Sequence, residues 1–449
     1  MLKRLIRYWD ETSFYLNQAV YYAGFGAAAL FMLSFFWSEL FVVAVLILVC
    51  TGITILVDAV LLYHRKGIRA QRILNERLSN GDDNKVGIEL TNRYDFKVNC
   101  SIIDELPEQF QARNWKRSIL LAPRETSILD YTVQPQERGE YHFGNINVYV
   151  EGPLKIVRRR YIFRQEKTVK VYPSYIQMRR YQLMAVGAHM QQTGVKRVRK
   201  LGHSMEFEQI KEYVRGDDYR TINWKATARR GDFMVNNFTD ERSQQIYCVI
   251  NKGRVMKMPF EGLTLLDYSI NAALVLCSVA LQRQDKAGLI TFAQHLDAFI
   301  PADKKPTQIN QVLETLYKQQ TDFLEPDFEK LFSAVRNRIA HRSLLVLFTN
   351  FESMESLERE LPSLKRLAHY HLLMVVFFEN TELKQLTEGK IATTEDIYIK
   401  TIAGKYRYEK QLMARELQKH GIISVLTTPQ KLTINSLNKY LELKNKQSI

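Results

Sequence analysis

The densest group of charged and polar residues lies in residues 206–230, which read EFEQIKEYVRGDDYRTINWKATARR. The adjacent carboxylates of Asp217 and Asp218 could act as an acid and a base, or hold a metal ion, on a phosphorylated or lipid-linked substrate. They could instead cap a short helix and form buried ion pairs with Arg215 and Arg220. Because no nucleophile or histidine pair lies nearby, we favour a structural network. Its predicted members are Arg215, Gly216, Asp217, Asp218, Arg220, Asn223, Trp224, Lys225 and Arg229.

Other sequence patterns that carry chemistry are absent. The chain contains no G-x-x-x-x-G-K-[ST], G-x-G-x-x-G, G-x-S-x-G or H-E-x-x-H pattern, which argues against an ATPase, a dinucleotide enzyme, an α/β-hydrolase and a zincin. The four cysteines show no metal-ligand spacing, so we expect a reduced intracellular chain without a zinc site. We therefore predict that the protein is not an enzyme.

A basic connector is predicted at residues 174–205. The net charge of the 449-residue chain is +15. The connector could bind the phosphates of anionic lipids or of nucleic acid, but a solvated surface is the commoner meaning of such a run. An anionic membrane surface explains the charge more simply than nucleic acid does, and nucleic-acid binding is not expected. The cations of the connector are Arg179, Arg180, Lys196, Arg197, Arg199 and Lys200.

Two apolar runs near the N-terminus predict a membrane anchor over residues 1–66. Residues 19–37 contain no charged residue, and Asp58 is the only charged residue in 40–63. Each run approaches the ~20 residues that cross a bilayer, so the two form a predicted transmembrane hairpin. Basic residues flank the hairpin on both outer sides, which places both ends in the cytoplasm. Asp58 is expected to extend its carboxylate to the membrane surface.

The rest of the chain divides by pattern into further segments. A linker at residues 67–84 precedes short alternating runs at 85–173, which predict a β-sandwich of immunoglobulin-like size. After the connector and a signature segment at 206–243, residues 244–449 alternate strands with helices. This alternation predicts a doubly wound α/β domain whose site lies at the carboxyl edge of the strands.

The stretch RGDDYRTINWKATARRGDFMVNNF resembles the signature of the domain-of-unknown-function 58 family. ERGEYHFGNINVYVEGPL, at 137–154, and VYP, at 171–173, resemble the β-region of the same family. The resemblance implies a transmembrane hairpin, a β-rich domain and a C-terminal von Willebrand A-like domain. It also implies a bacterial inner membrane protein whose partner is a hexameric AAA+ ATPase of the MoxR type.

Von Willebrand A domains bind a divalent ion through D-x-S-x-S after the first strand and an aspartate after the fourth. The matching positions here are Asn251, Gly253, Val255 and Asn350, so two carboxylates are amides and both hydroxyls are missing. We therefore predict no cofactor and no tightly bound metal. Weak residual Mg²⁺ binding stays open through the oxygen-bearing residues Thr349, Glu352 and Asp267.

These observations lead to one expected function and two alternatives. We expect a multi-pass protein of the inner membrane whose cytoplasmic domains act as an adaptor or scaffold for protein partners. The expected process is envelope protein maturation or stress tolerance, as the family resemblance implies. An enzyme that uses Asp217 and Asp218 is the first alternative, and binding of nucleic acid or anionic lipid by the basic connector is the second.

Overall fold

The structure of the chain is a computed structural model. The chain divides into two compact units, residues 1–172 and 173–449. The structure describes residues 14–112, 115–191, 206–214, 217–239, 243–260, 262–321, 323–379 and 394–446.

The first unit begins with strand β1 (Phe14–Leu16) and two apolar helices, α1 (Gln18–Leu33) and α2 (Glu39–Tyr63). Helix α1 starts at Asn17, whose side chain accepts a hydrogen bond from the backbone N–H of Gln18. Most side chains of both helices are exposed. Of the described helices, α2 is long and apolar enough to cross a membrane; α1 is shorter, and a third apolar helix lies in the core of the second unit.

Ten further strands are described in the rest of the first unit. They are β2 (Ile68–Ile73), β3 (Arg77–Ser79), β4 (Asn84–Asn92), β5 (Val98–Asp104), β6 (Arg117–Leu121), β7 (Thr126–Val133), β8 (Gly139–Phe143), β9 (Ile146–Glu151), β10 (Val157–Phe163) and β11 (Lys167–Tyr172). Together with β1 they form three sheets, with strand orders β1-β10-β9-β5-β6, β2-β4-β7 and β3-β11-β8. Inward side chains of the first two sheets share one hydrophobic core, and the third sheet has a smaller core of its own. The prediction of a β-rich N-terminal region is confirmed.

Residues 67–84 are not a linker, because strands β2 and β3 lie within them. Strand β2 alternates, with Ile68 and Ala70 buried in the core. Arg72 is one of the charged residues that make this strand resemble a linker in the sequence. Its buried guanidinium pairs with Asp104, which also accepts a hydrogen bond from the hydroxyl of Tyr131. The pair is satisfied on several sides, as a buried ion pair must be.

The second unit begins with a helix where a basic connector was predicted. Helix α3 (Tyr175–Gln191) packs through Met178 and Tyr181 against the core of this unit. The connector prediction is therefore wrong for residues 175–191, because these residues form a helix and the apolar side chains on either side of Arg179 and Arg180 are used in packing. The cations at 196–200 lie outside the described residues.

The signature segment folds as a hairpin with a short helix inside it. Strand β12 (Glu206–Glu212) pairs antiparallel with β13 (Met234–Thr239), and helix α4 (Trp224–Arg230) lies between them in the chain. Helix α4 ends at Gly231, whose φ of 85° is the left-handed conformation that glycine adopts most readily.

A mixed six-stranded sheet with helices on both faces completes the second unit. Its elements are β14 (Gln245–Asn251), β15 (Pro259–Phe260), β16 (Leu263–Thr264), α5 (Leu265–Gln282), β17 (Lys286–Phe292), β18 (Leu296–Asp303), α6 (Gln308–Tyr317), α7 (Phe328–Arg338), β19 (Leu344–Phe348), α8 (Met354–Tyr370), β20 (Leu372–Phe378), α9 (Thr394–Lys419), β21 (Ile423–Thr427) and α10 (Leu432–Asn445). The strand order is β18-β17-β14-β19-β20-β21, parallel except for the antiparallel edge strand β18. Helices α5, α6 and α10 cover one face, and α7, α8 and α9 cover the other.

Candidate functional site

The strand order of the six-stranded sheet identifies where a ligand would bind. From β14 the chain proceeds to β17 on one side, and later returns to β19 on the other side. Open α/β sheets bind ligands at such a switch point, outside the carboxyl ends of the strands. Residues 251–255 begin with the last residue of β14, and residues 349–352 follow β19, so these two segments meet at the predicted edge. All four positions matched to a metal site lie on them.

Asn251 ties the two segments together. Its side chain is fully buried, and its Nδ2 donates to the hydroxyl of Thr349 at 2.9 Å. Its Oδ1 accepts from the backbone N–H of Gly253 at 2.7 Å. Both ends of the amide are therefore used within the protein, with Asn251 as the donor to the Thr349 hydroxyl; an aspartate could only accept from that hydroxyl.

Gly253 lies where there is no room for a side chain. A Cβ at this position would lie 2.8 Å from Cδ of Pro326 and 2.9 Å from the carbonyl oxygen of Leu324. Any larger residue would displace backbone on the facing loop, so the hydroxyl-bearing residue of a D-x-S-x-S pattern does not fit. The packing of the 324–326 loop thus favours glycine at this position.

Lys410 brings a positive charge to this edge. It extends from α9, and its ammonium donates to Oδ1 of Asn350 at 3.0 Å and to the carbonyl of Phe351. Burial lowers the pKa of Lys410 to about 8, although the carboxylates of Glu352 and Glu409 oppose that shift. An ammonium so placed repels a second cation at the same carbonyl and amide oxygens.

A cavity of about 460 Å³ opens beside Lys410. Its floor is apolar, and its rim carries charges of both signs. Two of the charged lining residues form an ion pair, in which Nε of Arg407 lies 3.1 Å from a carboxylate oxygen of Glu379. The apolar lining is Val255, Met258, Phe260, Leu265 and Phe378, and the charged lining is Arg254, Glu352, Glu379, Arg407 and Lys410.

A second cavity of about 210 Å³ shares part of this lining. Arg254, Val255, Asn350 and Glu352 border both cavities. Because the two cavities share these residues, they form one grooved surface along the sheet edge, in which apolar depressions alternate with charged groups. Such a surface suits a peptide or protein segment, which presents alternating apolar and charged side chains.

The structure places the four matched metal positions together but gives none of them a carboxylate. No cluster of three or more histidine, cysteine, aspartate or glutamate side chains able to hold a metal is found in the described part of the chain. Among the residues considered for residual Mg²⁺ binding, Asp267 already makes other hydrogen bonds, since its Oδ2 accepts from the hydroxyl and backbone N–H of Thr264. Thr349 accepts the bond from Asn251. Glu352 borders both cavities, and weak Mg²⁺ binding stays an untested prediction.

The aspartates of the signature segment hold local turns. Asp217 accepts from Nζ of Lys211 at 2.8 Å and from the backbone N–H of Val214 at 3.0 Å, and the lysine bond holds the pKa of that carboxyl below its usual range. Asp218 accepts from the backbone N–H of Arg220 at 3.0 Å. The bonds from Val214 and Arg220 close turns, and the ion pair of Asp217 with Lys211 is partly buried. Among the described residues neither aspartate pairs with Arg220, so that part of the expected buried network is wrong, whereas pairing with Arg215 lies outside the described residues.

The helix after these aspartates is capped by Asn223. Its Oδ1 accepts from the backbone N–H of Ala226, and its Nδ2 donates to Asn236 on β13 at 2.9 Å. Trp224 is 68% exposed, with its ring centroid 6.4 Å from that of Phe233. The guanidinium of Arg220 lies over the ring of Tyr219. Lys225 and Arg229 are exposed, and the predicted members Arg215 and Gly216 lie outside the described residues.

Sequence reasoning missed Lys410. It lies 60 residues beyond Asn350, on a helix that was not predicted. Its immediate neighbours are charged and aromatic, as on an exposed helix face. No local signal distinguishes it, and only the packing of α9 on the sheet brings it to the edge.

Comparison with known families and relatives supports the resemblance noted above. Residues 209–400 match the family described as "Protein of unknown function DUF58". The chain is similar to "Uncharacterized protein YeaD" of Bacillus subtilis (strain 168), with 26% identity over 200 residues, or 42% of this chain and 49% of that protein. The chain thus spans about half the length of this curated relative.

Two solved structures show weaker likeness. The conserved hypothetical protein BatB from Bacteroides thetaiotaomicron covers 45% of this chain and 99% of its own, at 10% identity and a TM-score of 0.29. The ASH / PapD-like domain of human CEP192 covers 23% of this chain and 83% of its own, at 14% identity and a TM-score of 0.17. At these scores neither likeness identifies the fold.

Proposed function

We propose that this DUF58-family protein is a non-enzymatic adaptor, anchored in a membrane, that binds a protein partner at the carboxyl edge of its six-stranded sheet. In this proposal α1 and α2 form a transmembrane hairpin in a bacterial inner membrane, and both soluble regions face the cytoplasm. The β-rich region is an immunoglobulin-like sandwich, and the α/β region is a von Willebrand A-like domain. The partner class is an AAA+ ATPase of the MoxR type, and this assignment rests on the family resemblance.

The cavity beside Lys410 is the observation that carries the proposal. It combines an apolar floor with charges of both signs, and it lies at the switch point of the sheet. The ammonium of Lys410 lies among the oxygens that follow β19. A partner segment would bury its apolar side chains on the floor, and the rim charges would select its orientation.

The contacts of the signature aspartates support the adaptor over an enzyme. Asp217 and Asp218 each accept bonds that close a turn, and Asp217 is additionally paired with Lys211. These bonds use both carboxylate oxygens of Asp217 and hold its pKa below the usual range, which makes it a weaker base. Asp218 borders neither cavity, so Asp218→Asn should leave partner binding intact.

Affinity purification tests the proposal. The full-length tagged protein would be extracted in mild detergent from the membranes of its source cell, and the co-purifying proteins identified by mass spectrometry. Met258→Arg places a charge on a half-exposed residue of the apolar lining, and Ile434→Arg is its matched control, because Ile434 is exposed to a similar extent on α10. We expect an AAA+ ATPase with the wild type and with Ile434→Arg, but not with Met258→Arg. Recovery of the protein alone after crosslinking, or equal recovery by both variants, would refute the proposal.

A further inference from the structure

The two apolar helices are attached to the β-rich region through one turn, residues 152–156 between β9 and β10, which we call the root turn. Strand β1, directly before α1, pairs antiparallel with β10. The backbone N–H of Asn17 donates to the carbonyl of Ile156 at 2.9 Å, and its side-chain amide donates to the carbonyl of Lys155 at 2.8 Å. The N-cap residue of α1 is thus fixed to the root turn.

Asp58 of α2 holds the same turn from the other side. Its carboxylate is fully buried and accepts from the backbone N–H groups of Leu154 at 3.3 Å, Ile156 at 3.1 Å and Val157 at 2.9 Å. The approach is so close that a Cβ on Gly152 would lie 2.1 Å from Oδ1 of Asp58. The protein itself therefore supplies the donors for Asp58, and the root turn lies beside α2 at the level of this residue.

At this level α2 has two different faces. Ile55, Ala59 and Leu62 pack into the core of the β-rich region. The opposite face stays apolar and exposed beyond Asp58, as far as Val60 and Leu61. Leu61 is three residues past Asp58, a rise of ~4.5 Å along the helix. A bilayer that covers this exposed face therefore extends past the level of the root turn.

We propose that the root turn is a third membrane-contacting element, in addition to α1 and α2, and that Leu154 enters the interfacial layer of the bilayer. This inference rests on the membrane anchoring proposed above. Leu154 is 47% exposed at the tip of the turn, and Lys155 beside it is exposed. Exposed Phe14, Tyr15 and Tyr63 surround the same end of the helices, and tyrosine is enriched where a protein crosses the membrane surface.

Site-directed spin labelling of the full-length protein in phosphatidylcholine–phosphatidylglycerol vesicles tests the inference. The background is Cys50→Ala, which removes the exposed cysteine and leaves the three buried ones. Single cysteines replace Leu154, Leu46 in the middle of α2, and Leu120 on β6 at the far edge of the five-stranded sheet. All three leucines are exposed, at 47%, 60% and 66%. The measurement is the accessibility of each label to oxygen and to a water-soluble nickel chelate.

We expect the label at Leu154 to be shielded from the nickel chelate several-fold relative to the label at Leu120, and less deeply than the label at Leu46. If Leu46 is shielded but Leu154 is as accessible as Leu120, the inference is overturned and the anchor stands. If the label at Leu46 is itself freely accessible to the chelate, the anchor fails and the inference fails with it.

Discussion

Replacing Asp58 with alanine should destabilise the β-rich region and leave the α/β region unchanged. The substitution removes the side-chain acceptor of three backbone N–H groups, those of Ile156 at 3.1 Å, of Val157 at 2.9 Å and, in a longer bond, of Leu154 at 3.3 Å. Hydrogen bonds to a charged group contribute about 1.5–3 kcal/mol each, so two short bonds correspond to about 3–6 kcal/mol of unfolding free energy. Asp83→Ala, at an exposed aspartate of the same region, is the matched control and should change stability by less than about 0.5 kcal/mol.

The buried cysteines report on the two regions separately. Cys100 lies in the core of the β-rich region, where burial raises the pKa of its thiol to about 12 and keeps it unreactive. Cys248 and Cys277 lie in the core of the α/β region. Alkylation at increasing urea concentration, quantified by peptide mass spectrometry on the full-length protein in detergent, gives an unfolding midpoint for each region in one experiment.

In Asp58→Ala the midpoint at Cys100 should move to lower urea, and the midpoints at Cys248 and Cys277 should stay in place. Gly152→Ala should have a similar effect, because its Cβ would lie 2.1 Å from the carboxylate. The double variant should be less destabilised than the sum of the two single variants, since removing the carboxylate makes room for the methyl group. An unchanged Cys100 midpoint in Asp58→Ala, or strict additivity in the double variant, would refute the assigned role of Asp58.

Three further predictions concern the second unit. Gly253→Ala should destabilise this unit by about 1–3 kcal/mol, because the new Cβ meets Pro326 and Leu324. Gly404→Ala in α9, where a Cβ meets nothing within 4 Å, should stabilise it slightly. The urea midpoints at Cys248 and Cys277 measure the effect of each variant, and equal shifts would contradict the packing argument. The pKa of Lys410, about 8, lies below the ordinary 10.5, so the unfolded chain holds more protons between these values and the folded state gains stability as pH rises through that window. Relative to Lys410→Met, the wild type should therefore gain up to about 3 kcal/mol from pH 8 to 10.5 in denaturation followed by circular dichroism, and a constant difference would show that Lys410 is not buried as described. Asn223→Ala should cost about 0.5–2 kcal/mol locally and speed amide hydrogen exchange in α4 and β13, whereas Arg220→Ala, which keeps the cap, should not; faster exchange in both variants would contradict the assigned cap.

Local pattern is sufficient for much of the fold. The continuous apolar runs at Leu344–Phe348 and Leu372–Phe378 are buried parallel strands because helices cover both faces of the sheet. The alternation in Ile146–Glu151 gives a strand of the β-rich region for an equally local reason. Such elements carry their burial pattern within a few residues, and their positions follow from it.

The elements that could not be predicted depend on partners far along the chain. Strand β2 resembles a charged linker until Asp104 and Tyr131 are brought to Arg72. Asp58 resembles an acid at a helix end until the root turn supplies its amide donors. At the candidate site, the residues after β14 and β19 could be placed from strand order, but Lys410 could not, because its role depends on how α9 packs.

The bond between Asp58 and the root turn also sets an order of events during synthesis. The acid and its amide donors are separated by 96 to 99 residues. At a ribosomal rate of roughly 5–20 residues per second, Asp58 exists for about 5–20 s before the root turn is made. Through that interval the nascent hairpin carries an acid without its donors, which only water or lipid headgroups can solvate. The arrival of residues 154–157 ends this exposed state, so the β-rich region completes the anchor that precedes it in the chain.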